Sequence, residues 1–340
     1  MKIGFLLPAT HALDGVSNGV RSQAIGQAEG LRRLGHDVAL LEPWNLTEAS
    51  SLDCVHFFQG GCAHFQIEHK RPHPLKMLTF APQIDTNEPI WKYRLAAEAG
   101  RMIPRFFNVP RLFKDQCEGS DAVMARSVYD RDRIVRGLGI DAEKVEIVLN
   151  GIDPPPEAEP GLAREKFGLP SEYALHVSRY ATVNKNAVAL CEAVGPTGLP
   201  LYLAGPAQPG EVLERLKSLA DRFRNIVMLG FMERAVLQSL YAGCKVFCLP
   251  SHHEGTGLVA LEAAVYGAEI VITNRGGPPD YFLEWGHYCD PTSVESIRSA
   301  FMRAWGTPRR SALRDHVLKN LTWDCSARSL SAAIEKHRPG

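Results

Sequence analysis

Residues 245–264 read KVFCLPSHHEGTGLVALEAA. The apolar run at 245–249 has strand composition. Residues 250–257 form a turn with Gly255 and Gly257, and 258–266 carry a helical apolar period. A strand that enters a helix through a glycine turn leaves the first-turn N–H groups and the positive end of the helix dipole at the sheet edge. That is an anion site suited to a phosphate. Glycine also lets a ligand approach the backbone closely.

At about 100° per residue, Leu258, Leu261, Glu262, Val265 and Tyr266 fall on one stripe of that helix. A carboxylate among apolar neighbours is costly unless it is paired or hydrogen-bonded. Glu262 is therefore either a structural ion-pair partner or a group that accepts hydrogen bonds from ligand hydroxyls. Glu254, in the turn, is placed to face the same pocket.

The same alternation runs outward in both directions. Strands are expected at 2–7, 37–41, 52–58, 76–80, 121–125 and 145–149, with helices at 20–34, 111–118 and 128–138. Residues 153–161 are proline-rich and acidic without periodicity, the composition of a linker. A second series follows, with strands at 173–177, 201–204, 225–229, 245–249 and 269–273 and helices at 186–194, 211–223, 234–242 and 258–266; the chain from 294 onward reads as helical. Two doubly wound parallel sheets are implied, and ligands bind at the carboxyl edges of such sheets.

Two further constellations lie at strand ends. Arg179 stands just past the strand at 173–177, and Lys185 stands before the next helix. Two cations there can hold a diphosphate, Arg as a fork and Lys as a point charge. Between the first strand and first helix, the loop 14–19 contains Gly15, Asn18 and Gly19, again a potential anion turn. It is not GxGxxG and gives little support to dinucleotide binding.

Taken in this order, these segments resemble the retaining glycosyltransferases of family 4, nucleotide-sugar enzymes with the GT-B fold. The strongest element is E-x7-E, present as Glu254 to Glu262 in a block that continues through Gly267 to Asn274-Arg275-Gly276-Gly277. Arg179 and Lys185 match the family's diphosphate pair, and Asn150-Gly151-Ile152-Asp153 matches its NGID turn. The resemblance implies an α/β GT-B protein with two Rossmann-like domains facing a central cleft. It places an acceptor domain at 1–152, a linker at 153–169, a nucleotide-sugar domain at 170–320, and a C-terminal helix at 321–340 packed back on the first domain.

By the same resemblance Arg179, Lys185 and Glu254 are the catalytic residues. Glu262 holds the ribose hydroxyls and Glu254 the donor sugar. Thr256, Gly257 and Leu258 present N–H groups to the diphosphate, with Gly15, Asn18 and Gly19 contributing to donor binding. No cofactor and no obligatory metal are expected, since the two cations and the helix dipole stand in for one. The adjacent His252 and His253 make a shared metal geometrically awkward. Many family members carry a histidine after the fourth strand, but here residues 78–85 read LTFAPQID. Gln83, Asp85, His56 and His64 are the alternatives for acceptor contact or positioning. The bland reading of each histidine is a packed or surface residue.

The implied activity is transfer of a sugar from a nucleotide-diphosphate donor to a glycan or lipid-linked acceptor in bacterial glycan biosynthesis, by the retaining reaction of the family. The alternatives are a sugar phosphorylase or a non-catalytic sugar-nucleotide or glycan-binding protein. Between Trp91 and Lys114 the chain carries Lys92, Arg94, Arg101, Arg105, Arg111 and Lys114 against Glu98, interleaved with apolar residues. That segment is either an amphipathic core helix with solvated cations or a docking surface for an anionic membrane.

Composition sets the bounds. The chain has 340 residues with 38 Lys+Arg against 38 Asp+Glu, a neutral balance that argues against a nucleic-acid partner. The length suits two domains. The apolar run at 3–9 is too short for a signal or span, so a cytoplasmic protein, with membrane association left open, is expected. The eight cysteines form no CxxC pair and read as small buried hydrophobes.

Overall fold

The computed structural model describes residues 1–7, 19–41, 51–58, 77–102, 108–156, 158–159 and 161–338. The chain forms two compact units, one of Met1–Asp153 with Leu321–Gly340 and one of Pro154–Asn320.

The first unit holds a sheet of six parallel strands: β1 (Lys2–Leu6), β2 (Asp37–Leu41), β3 (Cys54–Phe58), β4 (Leu78–Ala81), β5 (Ala122–Ala125) and β6 (Val145–Ile147). Their order is β2-β1-β3-β4-β5-β6. Side chains alternate across the pleat, so each strand feeds two cores. Ile3 and Phe5 of β1 and Cys54 and Phe58 of β3 face the helices Gly19–Arg33 and Trp323–Lys336. Leu6, Val55 and Phe57 join Tyr93, Ala97, Phe113 and Cys117 of the helices Ile90–Met102 and Val109–Gly119. The C-terminal helix belongs to this layer. Gln27 donates to Ser326 Oγ at 3.0 Å, Arg33 pairs with Asp324 at 2.6 Å, and Ile152 forms a parallel bridge with Thr322.

The second unit holds a second six-stranded parallel sheet. Its strands are β7 (Ala174–Val177), β8 (Leu201–Ala204), β9 (Ile226–Gly230), β10 (Val246–Leu249), β11 (Glu269–Thr273) and β12 (His287–Cys289). Their order is β12-β11-β10-β7-β8-β9. One face is covered by the helices Ala187–Val194, Glu211–Arg222 and Val294–Gly306 around Ala174, Leu203, Val246, Cys248 and Val271. On the other face Tyr241 of the helix Arg234–Gly243 packs on Phe247, ring centroids 5.8 Å apart.

Most strand expectations hold to within two residues. Two features differ. The stretch expected as linker at 153–169 contains a helix, Gly161–Phe167, and belongs to the second unit from Pro154 onward; Ser239 Oγ anchors it, donating to the Glu159 carbonyl and accepting from Ala163 N–H. Strand β12 was not anticipated, because three residues give too short a pattern to read.

Six of the described cysteines are buried and free, with Cys325 partly exposed. Among the described residues no helix is long and apolar enough to cross a membrane, and no cluster of His, Cys, Asp and Glu has metal-binding geometry.

Candidate active site

The strand order of the second sheet reverses between β7 and β10. The crevice outside the carboxyl ends of such a pair is the preferred ligand position in open α/β sheets. Both expected motifs emerge there. β7 ends in Val177 and leads to Arg179, while β10 ends in Leu249 and leads to Glu254.

Lys185 and Glu254 are in contact, with Nζ donating to Oε1 at 2.6 Å. Ser251 Oγ donates to the same oxygen at 2.7 Å. The surroundings fix both chains. Asn186, at φ 56°, ends the turn Val183–Lys185 in the left-handed region. Its side-chain amide donates to the Pro250 carbonyl at 3.0 Å and to Pro291 at 2.8 Å. The Asn184 amide donates to the His253 carbonyl, and its own carbonyl accepts from His252 N–H. Lys185 is thus tied to the loop that carries Glu254 by its neighbours on both sides.

Glu254 is held from behind as well. Its N–H donates to the Arg275 carbonyl at 3.2 Å, and its carbonyl accepts from Gly277 N–H at 3.0 Å. Gly276 lies between, at φ 100°, where an added Cβ would stand 2.0 Å from the Glu254 carbonyl oxygen. Both the backbone conformation and the close approach require glycine there.

His176, fully buried in β7, links the two central strands. Its Nδ1 lies 2.7 Å from the Cys248 carbonyl and its Nε2 lies 2.6 Å from Ser178 Oγ. A carbonyl only accepts, so the proton sits on Nδ1 and Nε2 accepts from Ser178. Burial pushes the imidazole pKa down to about 4, which keeps it neutral.

Arg179 is exposed at the same edge. The turn then delivers the helix Leu258–Val265, with Gly257 at φ 82° as its N-cap. A glycine cap places no side chain over the first-turn N–H groups, so at Thr256, Gly257 and Leu258, where an anion site is expected, the helix begins without a side-chain cap. Thr256 is buried beside Tyr281, Oγ1 to OH 3.3 Å.

Glu262 is half-buried on this helix and accepts from Tyr241 OH at 3.0 Å. Burial raises its pKa, against the opposing pull of the Tyr241 hydrogen bond and the Arg234 charge. A tyrosine hydroxyl, rather than an ion pair, is its contact.

The expectations on the first unit fare differently. Gly15, Asn18 and His64 lie outside the described residues, and Gly19 opens the helix Gly19–Arg33. The acceptor role considered for His56 is corrected. It sits in the middle of β3, 1 % exposed, with Nδ1 2.7 Å from Thr79 Oγ1 and its ring against Phe5 and Phe58. Burial lowers its pKa to about 3, so it is a neutral core residue. Gln83 and Asp85 stand at the carboxyl edge, both bonded to Arg126, a residue the sequence did not single out.

The cationic segment is also smaller than expected. Lys114 is buried and paired with Glu98, and Arg111 donates to the Gly100 carbonyl and approaches Asp115 at 3.4 Å. The side chain of Arg101 and the whole of Arg105 lie outside the described residues.

Residues 163–313 match the family described as glycosyl transferases group 1. The second unit belongs to the glycosyl transferases group 1. Its boundaries enclose Arg179, Lys185, Glu254 and Glu262 alike. The chain is 30 % identical over 204 residues to the serotype-specific mannosyltransferase WbdA of Escherichia coli, covering 55 % of this chain and 25 % of that protein. It therefore spans about a quarter of that curated relative's length. Among solved structures, sucrose-phosphate synthase from Thermosynechococcus elongatus superposes with TM-score 0.78 at 15 % identity, over 99 % of both chains. Anabaena HepE in complex with UDP superposes with TM-score 0.67 at 16 % identity, over 99 % of this chain and 96 % of that one. At these identities the likeness is one of fold, and the fold is GT-B, built from two Rossmann-like units.

Proposed function

We propose that this group 1 glycosyltransferase unit binds a nucleotide-diphosphate sugar and that the protein transfers the sugar to a carbohydrate acceptor. The observation that carries the reading is the Lys185–Glu254–Ser251 contact at the β7/β10 switch point, beside the exposed Arg179 and the glycine-capped helix. A cation, a forked cation and first-turn N–H groups converge on one strand edge, which suits a diphosphate. The adjoining carboxylates Glu254 and Glu262 suit sugar and ribose hydroxyls, which donate hydrogen bonds to them.

In this scheme the bond between the sugar's anomeric carbon and the diphosphate oxygen breaks, and its electron pair leaves with the diphosphate. Arg179, Lys185 and the helix end stabilise that developing charge. The acceptor hydroxyl oxygen forms the new bond to the anomeric carbon, and its proton passes to the departing phosphate oxygen. Attack on the face the phosphate leaves retains the anomeric configuration and needs no protein base. The scheme assigns charge neutralisation to protein groups alone, without a metal ion.

We place the reaction in bacterial glycan assembly, supported by the likeness to a mannosyltransferase named for serotype. A lipid-linked acceptor is supported by the helix Ile90–Met102. Trp91, Leu95 and Met102 are 64 %, 62 % and 81 % exposed and share one helical stripe, with Lys92 and Arg94 beside it. An exposed tryptophan among cations suits an anionic membrane interface. The enzymatic reading is tested by donor-sugar hydrolysis. Turnover lost in Arg179→Ala and Glu254→Ala is expected, and nucleotide-sugar binding without any turnover points to a binding protein instead.

A further inference from the structure

The amino edge of the second sheet carries a cavity of about 410 Å³. It lies at the end of the unit opposite Arg179 and Glu254. The strands are parallel, so Lys245, immediately before β10, stands at this edge and Pro250, immediately after it, at the other. About five residues of extended chain, at roughly 3.3 Å each, separate the two edges. Arg164 comes to the cavity from the helix Gly161–Phe167 and Glu172 from the turn before β7. Lys245 comes from the turn before β10, and Arg309 from the chain after the helix Val294–Gly306. The volume falls within the range of small-molecule sites, about 300–1,000 Å³.

The charge of the wall is one-sided. Arg164, Lys245 and Arg309 line it against the carboxylate of Glu172. Glu165 stands at the rim, its Oε1 3.6 Å from where a Cβ on Gly161 would lie, and still leaves the balance positive. Lys245 Nζ is 2.8 Å from Glu172 Oε1 and 5.2 Å from the centre of the Trp305 ring. That ion pair takes one of three ammonium protons. Arg309 Nη2 donates to the Cys244 carbonyl at 2.6 Å and to the Gly243 carbonyl at 3.3 Å. Its Nε and Nη1 have no acceptor among the described residues. Arg164 is exposed and has no side-chain partner among the described residues.

Structural duties therefore use only part of this donor set. Arg309 closes the end of the helix Arg234–Gly243, a common task for an arginine. Lys245 holds a partly exposed ion pair. Arg164 has no such duty. The end of a helix repels anions through its free carbonyls, but here those carbonyls are covered. Tyr173 OH donates to Leu240 at 2.8 Å, and Arg309 covers Gly243. An anion in the cavity meets N–H groups instead, with the exposed Ser171 beside them. Guanidinium forks match phosphate oxygens, and two uncommitted guanidinium faces suit a dianion better than a single carboxylate.

We propose that this cavity binds a phosphate dianion, free or as a small monoester, at a site separate from the one at the carboxyl edge. The site does not depend on the glycosyltransferase reading.

The test is isothermal titration of inorganic phosphate and of glycerol 3-phosphate into the full chain, as wild type and as Arg179→Ala, which removes a cation from the other edge. Binding is expected in both proteins. Arg164→Ala should weaken it about tenfold, the worth of one charge-assisted hydrogen bond. Arg164→Lys, which keeps the charge without the fork, should weaken it less. Arg164 is exposed and unbonded, so the unfolding curves of both variants should overlay that of the wild type. Nucleoside-diphosphate affinity should be the same in Arg164→Ala as in the wild type. Tighter binding of glycerol 3-phosphate than of inorganic phosphate assigns the site to a monoester, and the reverse assigns it to free phosphate. No binding of either, binding unchanged in Arg164→Ala, or binding lost in Arg179→Ala each overturns the proposal. Arg164-dependent phosphate binding in a protein that takes no nucleoside diphosphate sinks the glycosyltransferase reading and leaves this site standing.

Discussion

Removing Lys185 separates the structural and chemical roles of its contact with Glu254. Lys185→Ala leaves a largely buried carboxylate with Ser251 as its remaining hydrogen-bond donor. At 2.6 Å, and with an effective dielectric of about 50, the lost attraction is worth about 2.5 kcal/mol. Lys185 is 27 % exposed, and solvent screening of a partly exposed pair reduces the net figure to about 1–2 kcal/mol. Glu254→Gln in the same background removes the uncompensated charge and should recover most of that loss. Denaturant unfolding of the wild type, both single variants and the double variant gives the coupling energy directly.

Catalysis should behave differently. The diphosphate loses one of its two cations in Lys185→Ala, and turnover should fall by about a hundredfold to a thousandfold. The double variant should regain stability but not activity. The reasoning is refuted if the coupling is below about 0.3 kcal/mol, or if the double variant regains turnover.

Three further expectations follow from the same geometry. Gly276→Ala drives a methyl group against the Glu254 carbonyl, 2.0 Å away in an unrelaxed backbone; donor hydrolysis should fall about a hundredfold through misplacement of Glu254, with circular dichroism unchanged. Glu262 has its pKa raised by burial and accepts ligand hydroxyls best when ionised, so nucleoside-diphosphate affinity should rise with pH through an inflection above the ordinary carboxylate range. Folding stability moves the other way, because a raised carboxylate loses stability as pH climbs from its unfolded to its folded pKa; Glu262→Gln should flatten both profiles, as seen by calorimetry and by unfolding. Trp91→Ser with Leu95→Ser should release the protein from phosphatidylserine vesicles in sedimentation assays, and undiminished binding rejects the exposed stripe as the membrane contact.

The sequence made the second sheet legible because its strands are short apolar runs flanked by strong turn signals. The turn at 250–257 and the helix after it were legible, and with them the position of Glu254. The contact between Glu254 and Lys185 was not legible, since it depends on Asn186 adopting a left-handed conformation and capping two strand-end carbonyls from sixty or more residues away. His176 was hidden for a similar reason: its partners lie on the neighbouring strand and at the end of its own. In the first unit the histidine at 56 looked available because sequence does not report the register that sinks it beneath Phe5 and Phe58. Arg126 was missed because a lone arginine after a strand carries no pattern. Only the parallel pairing of β4 and β5 brings it to Gln83 and Asp85.

The central claim is a nucleoside-diphosphate site at the carboxyl ends of β7 and β10. Isothermal titration of UDP, GDP and ADP into the full chain, the Arg179→Ala variant and the Glu262→Gln variant tests it most directly. One of the three should bind the wild type, and each substitution should weaken that binding about tenfold or more. No heat of binding for any of the three, or binding indifferent to both substitutions, contradicts the account.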